Sequence, residues 1–365
     1  MSGNTFGTIF KVTTFGESHG EALGAVIDGC PAGISVDRNE IQAALDRRRP
    51  GAKTVNGMNA AVTTRSEPDT VEILSGVVNG ISEGTPVALV IRNTTQHSND
   101  YSNLEHTFRP GHADYTYFEK YGVRDYRGGG RSSGRETAAR VACGAVAGML
   151  LRTAGIKITA YTTAACGISC RKKDMTVIEH NMLRACDKEA AAEMEKRITE
   201  IRREGNSAGG IIECTVTGVP SGLGEPVFDK LDAELAKAVM SIGAVKGIEF
   251  GSGFGAADST GKENNDEMCT ENGNPVFLTN NAGGILGGIS NGNDIIFRAA
   301  VKPVPSIFQK QQTVSSCDGG FEESDLLIEG RHDVCLCPRI VPVIEAMAQL
   351  VLADMLLRNR SSRID

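Results

Sequence analysis

The chain has no tryptophan among its 365 residues, and aromatics make up only 5%. It therefore has no ring platform on which nucleic-acid bases would stack. Positive charge is also in deficit: the formal net charge is −7 and the pI is near 5.5. Such a balance speaks against a polyanion or an anionic membrane as partner, so any positive field must be confined to a cleft. No stretch approaches the roughly 20 apolar residues of a membrane span. The N-terminus shows no basic region followed by an apolar run. Ten cysteines are present, yet no C-x-x-C occurs; the closest pairs are Cys166/Cys170 and Cys335/Cys337. Most lie in apolar company, as Cys143 does, which fits small buried thiols in a reducing compartment and gives no metal site. No linker, internal repeat or low-complexity tract divides the chain. The expectation is one cytoplasmic domain, residues 1–365, with alternating strands and helices and with no nucleic-acid or membrane partner.

Glycine is abundant, at 43 residues, and it clusters around histidine and arginine. Gly16-Glu17-Ser18-His19-Gly20 is answered by Arg109-Pro110-Gly111-His112-Ala113-Asp114 and by Arg131-Ser132-Ser133-Gly134-Arg135-Glu136-Thr137. Glycine serves where backbone must approach a ligand or take positive φ. Arginine holds phosphate or carboxylate in bidentate geometry, and histidine moves protons near neutrality. The third block, with three glycines ahead of it, reads as an anion site at a helix start. Arg331-His332-Asp333 is a weaker signal, because an Arg–Asp pair is commonly a structural bridge. His97, His106 and His180 have no distinctive surroundings.

Periodicity predicts a helix over residues 35–49, with Asp37 and Glu40 forming a capping box. Ile41, Ala44 and Leu45 form its apolar stripe, and Pro50-Gly51 ends it. Arg48, seven residues after Ile41, falls on the inward stripe, while Arg47 and Arg49 diverge from it by about 100° each. That placement suits a buried anion. Strands are expected at 71–78, 87–91, 211–216, 245–250 and 295–301, and helices at 187–204, 229–240 and 342–357. A long helix over 133–152, capped by Ser133 and Glu136, has hardly any polar face and belongs in the middle of the molecule. Residues 258–275 read as a polar loop. Gly251-Ser252-Gly253-Phe254-Gly255-Ala256 imitates a dinucleotide fingerprint, but the helix it requires does not follow. No G-x-x-x-x-G-K-[ST] loop or nucleophile elbow is present. On the residues alone, acid–base chemistry on a small phosphorylated or carboxylated substrate is expected. A phosphate-eliminating or isomerising lyase and a non-catalytic phosphometabolite or nucleic-acid binder stay open as alternatives. The acidic charge and the paired histidines count against the binder.

Taken together the blocks resemble the chorismate synthase family over essentially the whole chain. The resemblance rests on residues 16–20, 109–139 and 330–347, with 46–51, 280–288 and 302–306 in support. It implies an α/β fold, a single-domain β-α-β sandwich with a helical layer between two largely antiparallel sheets, assembled as a homotetramer. The implied reaction is anti-1,4-elimination of phosphate from 5-enolpyruvylshikimate 3-phosphate to give chorismate, requiring reduced FMN without net redox change. By resemblance His19, His112 and Asp333 are catalytic: His19 for the leaving phosphate, His112 for the charge on the flavin ring, Asp333 as proton relay. Ser18, Arg48, Arg109, Arg135 and Arg331 would bind the substrate. Flavin contacts would come from Arg131, Ser132, Ser133, Ala244, Gly287, Lys302, Pro303, Val304, Pro305, Ser306 and Arg331. NADPH would enter only indirectly, through a separate flavin reductase. Three positions depart from the family pattern: Gly134 stands where alanine is common, Gly243 replaces an asparagine, and the loop after Gly51 is longer.

Overall fold

The structure, a computed structural model, describes residues 3–51, 61–62, 67–94, 104–328 and 332–364. Two five-stranded sheets frame it. The first contains β1 (Thr5–Phe6), β2 (Lys11–Gly16), β3 (Ala22–Asp28), β4 (Val71–Ser75) and β7 (Val87–Arg92), in the order β1-β2-β3-β7-β4. A small hairpin, β5 (Val77–Val78) and β6 (Ile81–Ser82), separates β4 from β7. The second sheet contains β8 (Lys157–Ala165), β9 (Ile168–Ser169), β10 (Gly210–Thr217), β11 (Val245–Phe250) and β16 (Ile295–Val301), in the order β11-β16-β10-β8-β9. Every pairing in both sheets is antiparallel. Three further hairpins decorate this frame: β12 (Met268–Glu271) with β13 (Asn274–Phe277), β14 (Ile285–Leu286) with β15 (Ile289–Ser290), and β17 (Gln311–Cys317) with β18 (Gly320–Leu326).

Helices fill the space between the sheets. α3 (Thr137–Arg152) lies on β2, β3 and β7, and α7 (Cys337–Asn359) lies on β8 and β10. The two helices pack along each other, flanked by α1 (Arg38–Arg48) and α5 (Leu231–Met240). One continuous apolar cluster runs through all these layers. The β-α-β layering expected from the family resemblance is therefore present. α3 is buried at thirteen of its sixteen positions, as an apolar helix with no polar face must be. Gly144 allows its close approach to α7, since a methyl there would lie 2.5 Å from Ala346 Cα. Contrary to the expectation that no stretch approaches a membrane span, α7 is long and apolar enough to cross a membrane, but 89% of its apolar window is buried inside the protein. It is a core helix. Outside this layer lie α2 (Asp114–Tyr121), α4 (Lys188–Arg203) and the single turn α6 (Gly261–Asn264). α4 turns inward the stripe of Ala190, Ala191, Met194, Ile198 and Ile201.

Several local expectations are corrected. Neither capping box forms. Asp37 does cap α1 by accepting from Asn39 N at 2.8 Å, but Glu40 pairs with Arg152 instead. Ser133 caps only a 3₁₀ turn, Gly134–Glu136, ahead of α3. Glu136 accepts from Arg140 Nε at 2.8 Å and from Thr14 Oγ1 at 2.9 Å. In both cases an arginine outcompetes a backbone N–H for the carboxylate, as charge-assisted bonds do. α7 starts five residues earlier than expected, with Pro342 inside it. Pro342 has no N–H to donate to Pro338 O, a defect that normally breaks a helix. Here the Arg184 guanidinium donates to that carbonyl and to Arg47 O. Residues 258–275 are not a plain loop, for they carry α6 and the β12–β13 hairpin. The sequence reading also passed over β2, β3 and β8.

Candidate active site

A cavity of about 590 Å³ opens where the C-terminal end of α1, the start of α3 and the start of α7 meet, a size suited to a small-molecule site. α1 delivers Arg48 to it from the inward stripe, and Arg48 is 1% exposed. Arg47, one position round, instead pairs at the surface with Glu179 and Glu345, so the helix register inferred from periodicity holds. Arg48 donates to Asp69 Oδ2 at 2.6 Å, to Gly134 O at 3.2 Å and to Thr137 Oγ1 at 3.4 Å. Arg135 donates to the other oxygen of Asp69 and, through Nε, to Asn93 Oδ1 at 2.9 Å. Asn93 in turn donates to Glu17 O and Gly20 O, tying the arginine to the turn that bears His19. Burial alone would raise the Asp69 pKa, but the two guanidiniums hold it below its ordinary value. Burial pushes Arg48 down to about 10, with Arg135 and Arg339 adding repulsion, so it is charged at neutrality. Among the described residues, Arg48 Nε and Arg135 Nη2 find no hydrogen-bond partner although both are buried.

The two histidines both line the cavity, each against a different glycine of the glycine run. At φ +69 and +87, Gly128 and Gly129 take the left-handed conformation that favours glycine. A methyl on Gly128 would lie 2.4 Å from His19 Cε1, and one on Gly129 would lie 3.1 Å from His112 Cε1. The run thus leaves no room for a side chain beside either imidazole. His19 Nδ1 is 3.2 Å from Ser18 Oγ. His112 Nδ1 is 2.8 Å from Asp114 Oδ1. Arg109 Nη2 lies 3.1 Å from the same nitrogen; with the proton on Nδ1, shared with the carboxylate, which can only accept, the neutral ring keeps a lone pair on Nε2. The same carboxylate accepts from Arg109 N at 3.1 Å, Nε at 2.7 Å and Nη2 at 2.9 Å. These bonds outweigh burial and hold Asp114 far below the usual carboxylate range. Burial pushes His112 below its ordinary value, and Arg109 and Lys302 add to that against the pull of Asp114.

The opposite wall is formed by Ile242, Gly243, Ala244 and Lys246, by Lys302, Val304, Pro305 and Ser306, and by Asp333, Leu336, Arg339, Ile340 and Val343. Lys302 donates to Gly111 O across the cavity mouth. Burial, with the charge of Lys246, lowers its pKa. Asp333 pairs with Arg339 at 2.6 Å. Among the described residues, Arg48, Arg109, Arg135, Lys246, Lys302 and Arg339 line the space against the carboxylates of Glu67 and Asp333. A chain of net charge −7 therefore concentrates positive charge here, as the composition required.

Most sequence-selected residues meet in this cavity: Ser18, His19, Arg48, Arg109, His112, Ser132, Ser133, Arg135, Ala244, Lys302, Val304, Pro305, Ser306 and Asp333. Arg131 does not line it. It donates to Asn4 Oδ1, Thr14 Oγ1 and Gly16 O, bracing the end of β2. Gly287 sits in the β14–β15 turn away from the cavity, and Pro303 is passed over between its lining neighbours. Arg331, His97 and most of the loop after Gly51 lie outside the described residues. Sequence reasoning missed Asp69, Lys246 and Arg339, and gave Asp114 no role. Asp114 was within reach of it, because an acid two residues after a histidine in a glycine turn can orient the ring. Asp69 stands in no motif.

Comparison with known proteins identifies the family. The family described as Chorismate synthase matches residues 10–357. The chain is 54% identical over 364 residues to the chorismate synthase of Syntrophus aciditrophicus, covering 99% of each. It is 55% identical to that of Syntrophobacter fumaroxidans, covering 98% of each, and 52% identical to that of Christiangramia forsetii over the full length of both. A solved crystal structure of a chorismate synthase superposes with a TM-score of 0.76 at 32% identity, covering 97% of this chain and 93% of the other.

Proposed function

The chain belongs to the chorismate synthase family, and from that premise we propose how its residues divide the work of the reaction. The enzyme is a carbon–oxygen lyase of the shikimate pathway that converts 5-enolpyruvylshikimate 3-phosphate to chorismate and phosphate. In this reading Arg48, Arg109, Arg135 and Arg331, with Ser18, hold the trianionic substrate. The carrying observation is the pair of buried, partnerless donors, Arg48 Nε and Arg135 Nη2, on the wall of a strongly cationic cavity. A buried N–H without an acceptor is costly, and a charge-assisted bond to a ligand oxygen recovers about 1.5–3 kcal/mol. His19, steadied by Ser18, gives a proton to the departing phosphate. Asp114 fixes the His112 ring, so that its Nε2 lone pair meets the cavity and its neutral form prevails at pH 7. Asp333, oriented by Arg339, exchanges a proton at its carboxylate.

The wall of Ile242, Ala244, Val304, Pro305 and Val343 fits the face of a flat ring system, and Lys302 and Lys246 suit an anionic tail. Methyl groups at Gly134 and Gly243 would meet nothing within 4 Å, which leaves room for a large cofactor. Ser132, Ser133, Ala244 and residues 302–306 would hold FMN, with Arg331; Arg131 and Gly287, also implied by the resemblance, stand outside this cavity and touch no flavin seated in it. Reduced FMN, when bound, supplies electron density as the phosphate leaves and takes up the C6 hydrogen, with no net redox change. No dinucleotide fingerprint survives in the sequence, so flavin reduction falls to a separate NADPH-dependent reductase. The protein is read as one cytoplasmic domain that assembles as a homotetramer.

An anaerobic chorismate assay tests the reading. Dithionite-reduced FMN should support turnover, whereas oxidised FMN with NADPH alone should not. Turnover in the second arm, with protein free of contaminating reductase, would overturn the monofunctional assignment.

A further inference from the structure

We propose that Asp69 is a positioning residue for this reaction: its carboxylate holds the Arg48 and Arg135 guanidiniums side by side, so that each keeps one donor nitrogen free for the substrate anion. The proposal rests on the reading that these two arginines bind the substrate. Asp69 is fully buried and spends both oxygens on these arginines, one on each. Its backbone takes φ +45, a left-handed conformation that aspartate and asparagine tolerate better than most residues. α1 pins that conformation. Gln42 Nε2 donates to Asp69 O at 3.2 Å, Gln42 Oε1 accepts from Val71 N at 3.1 Å, and Arg38 Nε donates to Val71 O at 2.9 Å. The helix that delivers Arg48 thus also fixes the carboxylate that aims it. Arg48 has further anchors in Gly134 O and Thr137 Oγ1, and Arg135 has Asn93. After these bonds one nitrogen on each guanidinium has made no hydrogen bond, Nε of Arg48 and Nη2 of Arg135, both buried and partnerless among the described residues.

The test titrates 5-enolpyruvylshikimate 3-phosphate calorimetrically into the FMN-saturated protein and its variants. Asp69→Asn keeps the shape and the tolerance for positive φ but removes the charge that grips both arginines. It should weaken substrate binding about tenfold or more. Combining it with Arg48→Ala should cost less than the sum of the two single losses, because part of the Asp69 effect acts through Arg48 and only the part through Arg135 remains. Additive losses would overturn the proposal, and so would substrate affinity within about twofold of the parent in Asp69→Asn. Arg135→Lys retains a cation beside Asp69 without a planar fork, and it tests the same idea should Asp69→Asn fail to fold. Positioning predicts binding as weak as in Arg135→Ala, whereas parental affinity would show that charge alone suffices. If Arg48→Ala and Arg135→Ala both bind substrate normally, it is the substrate assignment that fails.

Discussion

Replacing Asp114 by asparagine separates two roles that its carboxylate combines. The wild-type group is buried and accepts from Arg109 N, Nε and Nη2 and from His112 Nδ1, at 2.7–3.1 Å. An asparagine offers one acceptor oxygen and turns an NH₂ toward either Arg109 or His112. Removing one partner of a buried pair costs about 3–5 kcal/mol. Unfolding entropy is about 2.1 cal/mol/K per residue, so a chain of this length loses about 4–7 °C in Tm. Freed from Asp114, the His112 ring no longer has its proton fixed on Nδ1, and kcat should fall about 10²–10⁴-fold. The sign with pH follows from linkage. The Asp114 pKa is depressed in the fold, so its contribution to stability is full above the unfolded value of about 3.9 and fades as pH falls toward the folded one. The Tm gap between parent and variant should therefore be constant from about pH 5 to 8 and narrow only below about pH 4. His112 is also depressed; its unfolded form binds the proton more readily, so it costs the fold stability as pH drops below about 6.5. Thermal melts across pH, together with the anaerobic assay at pH 7, read both effects. A Tm loss of the expected size with kcat within about threefold of the parent would refute the catalytic half of the argument.

Arg48→Ala should weaken substrate binding by about 10- to 150-fold, measured by titration. Arg47→Ala should leave affinity unchanged, since its partners Glu179 and Glu345 lie outside the cavity. Equal damage from both would contradict the placement of these side chains. His19→Ala should lower kcat about 10²–10⁴-fold while FMN and substrate still bind together. His112→Ala should also change the pH dependence of the bound reduced-flavin spectrum. A spectral change in the first variant and none in the second would reverse the roles. Gly128→Ala forces a methyl to 2.4 Å from His19 Cε1 at φ +69. It should reduce kcat by about 10²-fold or more, and normal turnover would show that His19 has room to move without consequence.

The site was largely legible in the sequence because its chemistry is carried by rare combinations. Histidine, arginine and glycine at close spacing have few structural uses, and the helix period alone turned Arg48 inward. Asp69 was not legible, because its importance comes entirely from tertiary partners 21 and 66 positions away. The helical layer was legible from the unbroken apolar character of α3. The first sheet was only half visible. β3 opens Ala22-Leu23-Gly24-Ala25, residues mostly of low strand propensity, and Gly24 is there because a methyl would lie 2.2 Å from Leu89 O on the neighbouring strand. Both capping boxes failed because an arginine takes the glutamate: Arg152 lies 112 positions from Glu40 and was hidden, whereas Arg140 stands one turn after Glu136 and was within reach of the sequence reading. The early start of α7 was hidden likewise, since Arg184, more than 150 positions away, repairs the break at Pro342.

The most direct measurement is a crystal structure of the protein with FMN and 5-enolpyruvylshikimate 3-phosphate. The account predicts substrate anions on Arg48 Nε and Arg135 Nη2, with the leaving phosphate beside His19. It places the flavin ring against Ile242, Ala244, Val304 and Pro305, with His112 near its edge. Substrate bound away from both arginines, or a flavin on the far side of the glycine run from His112, would contradict it.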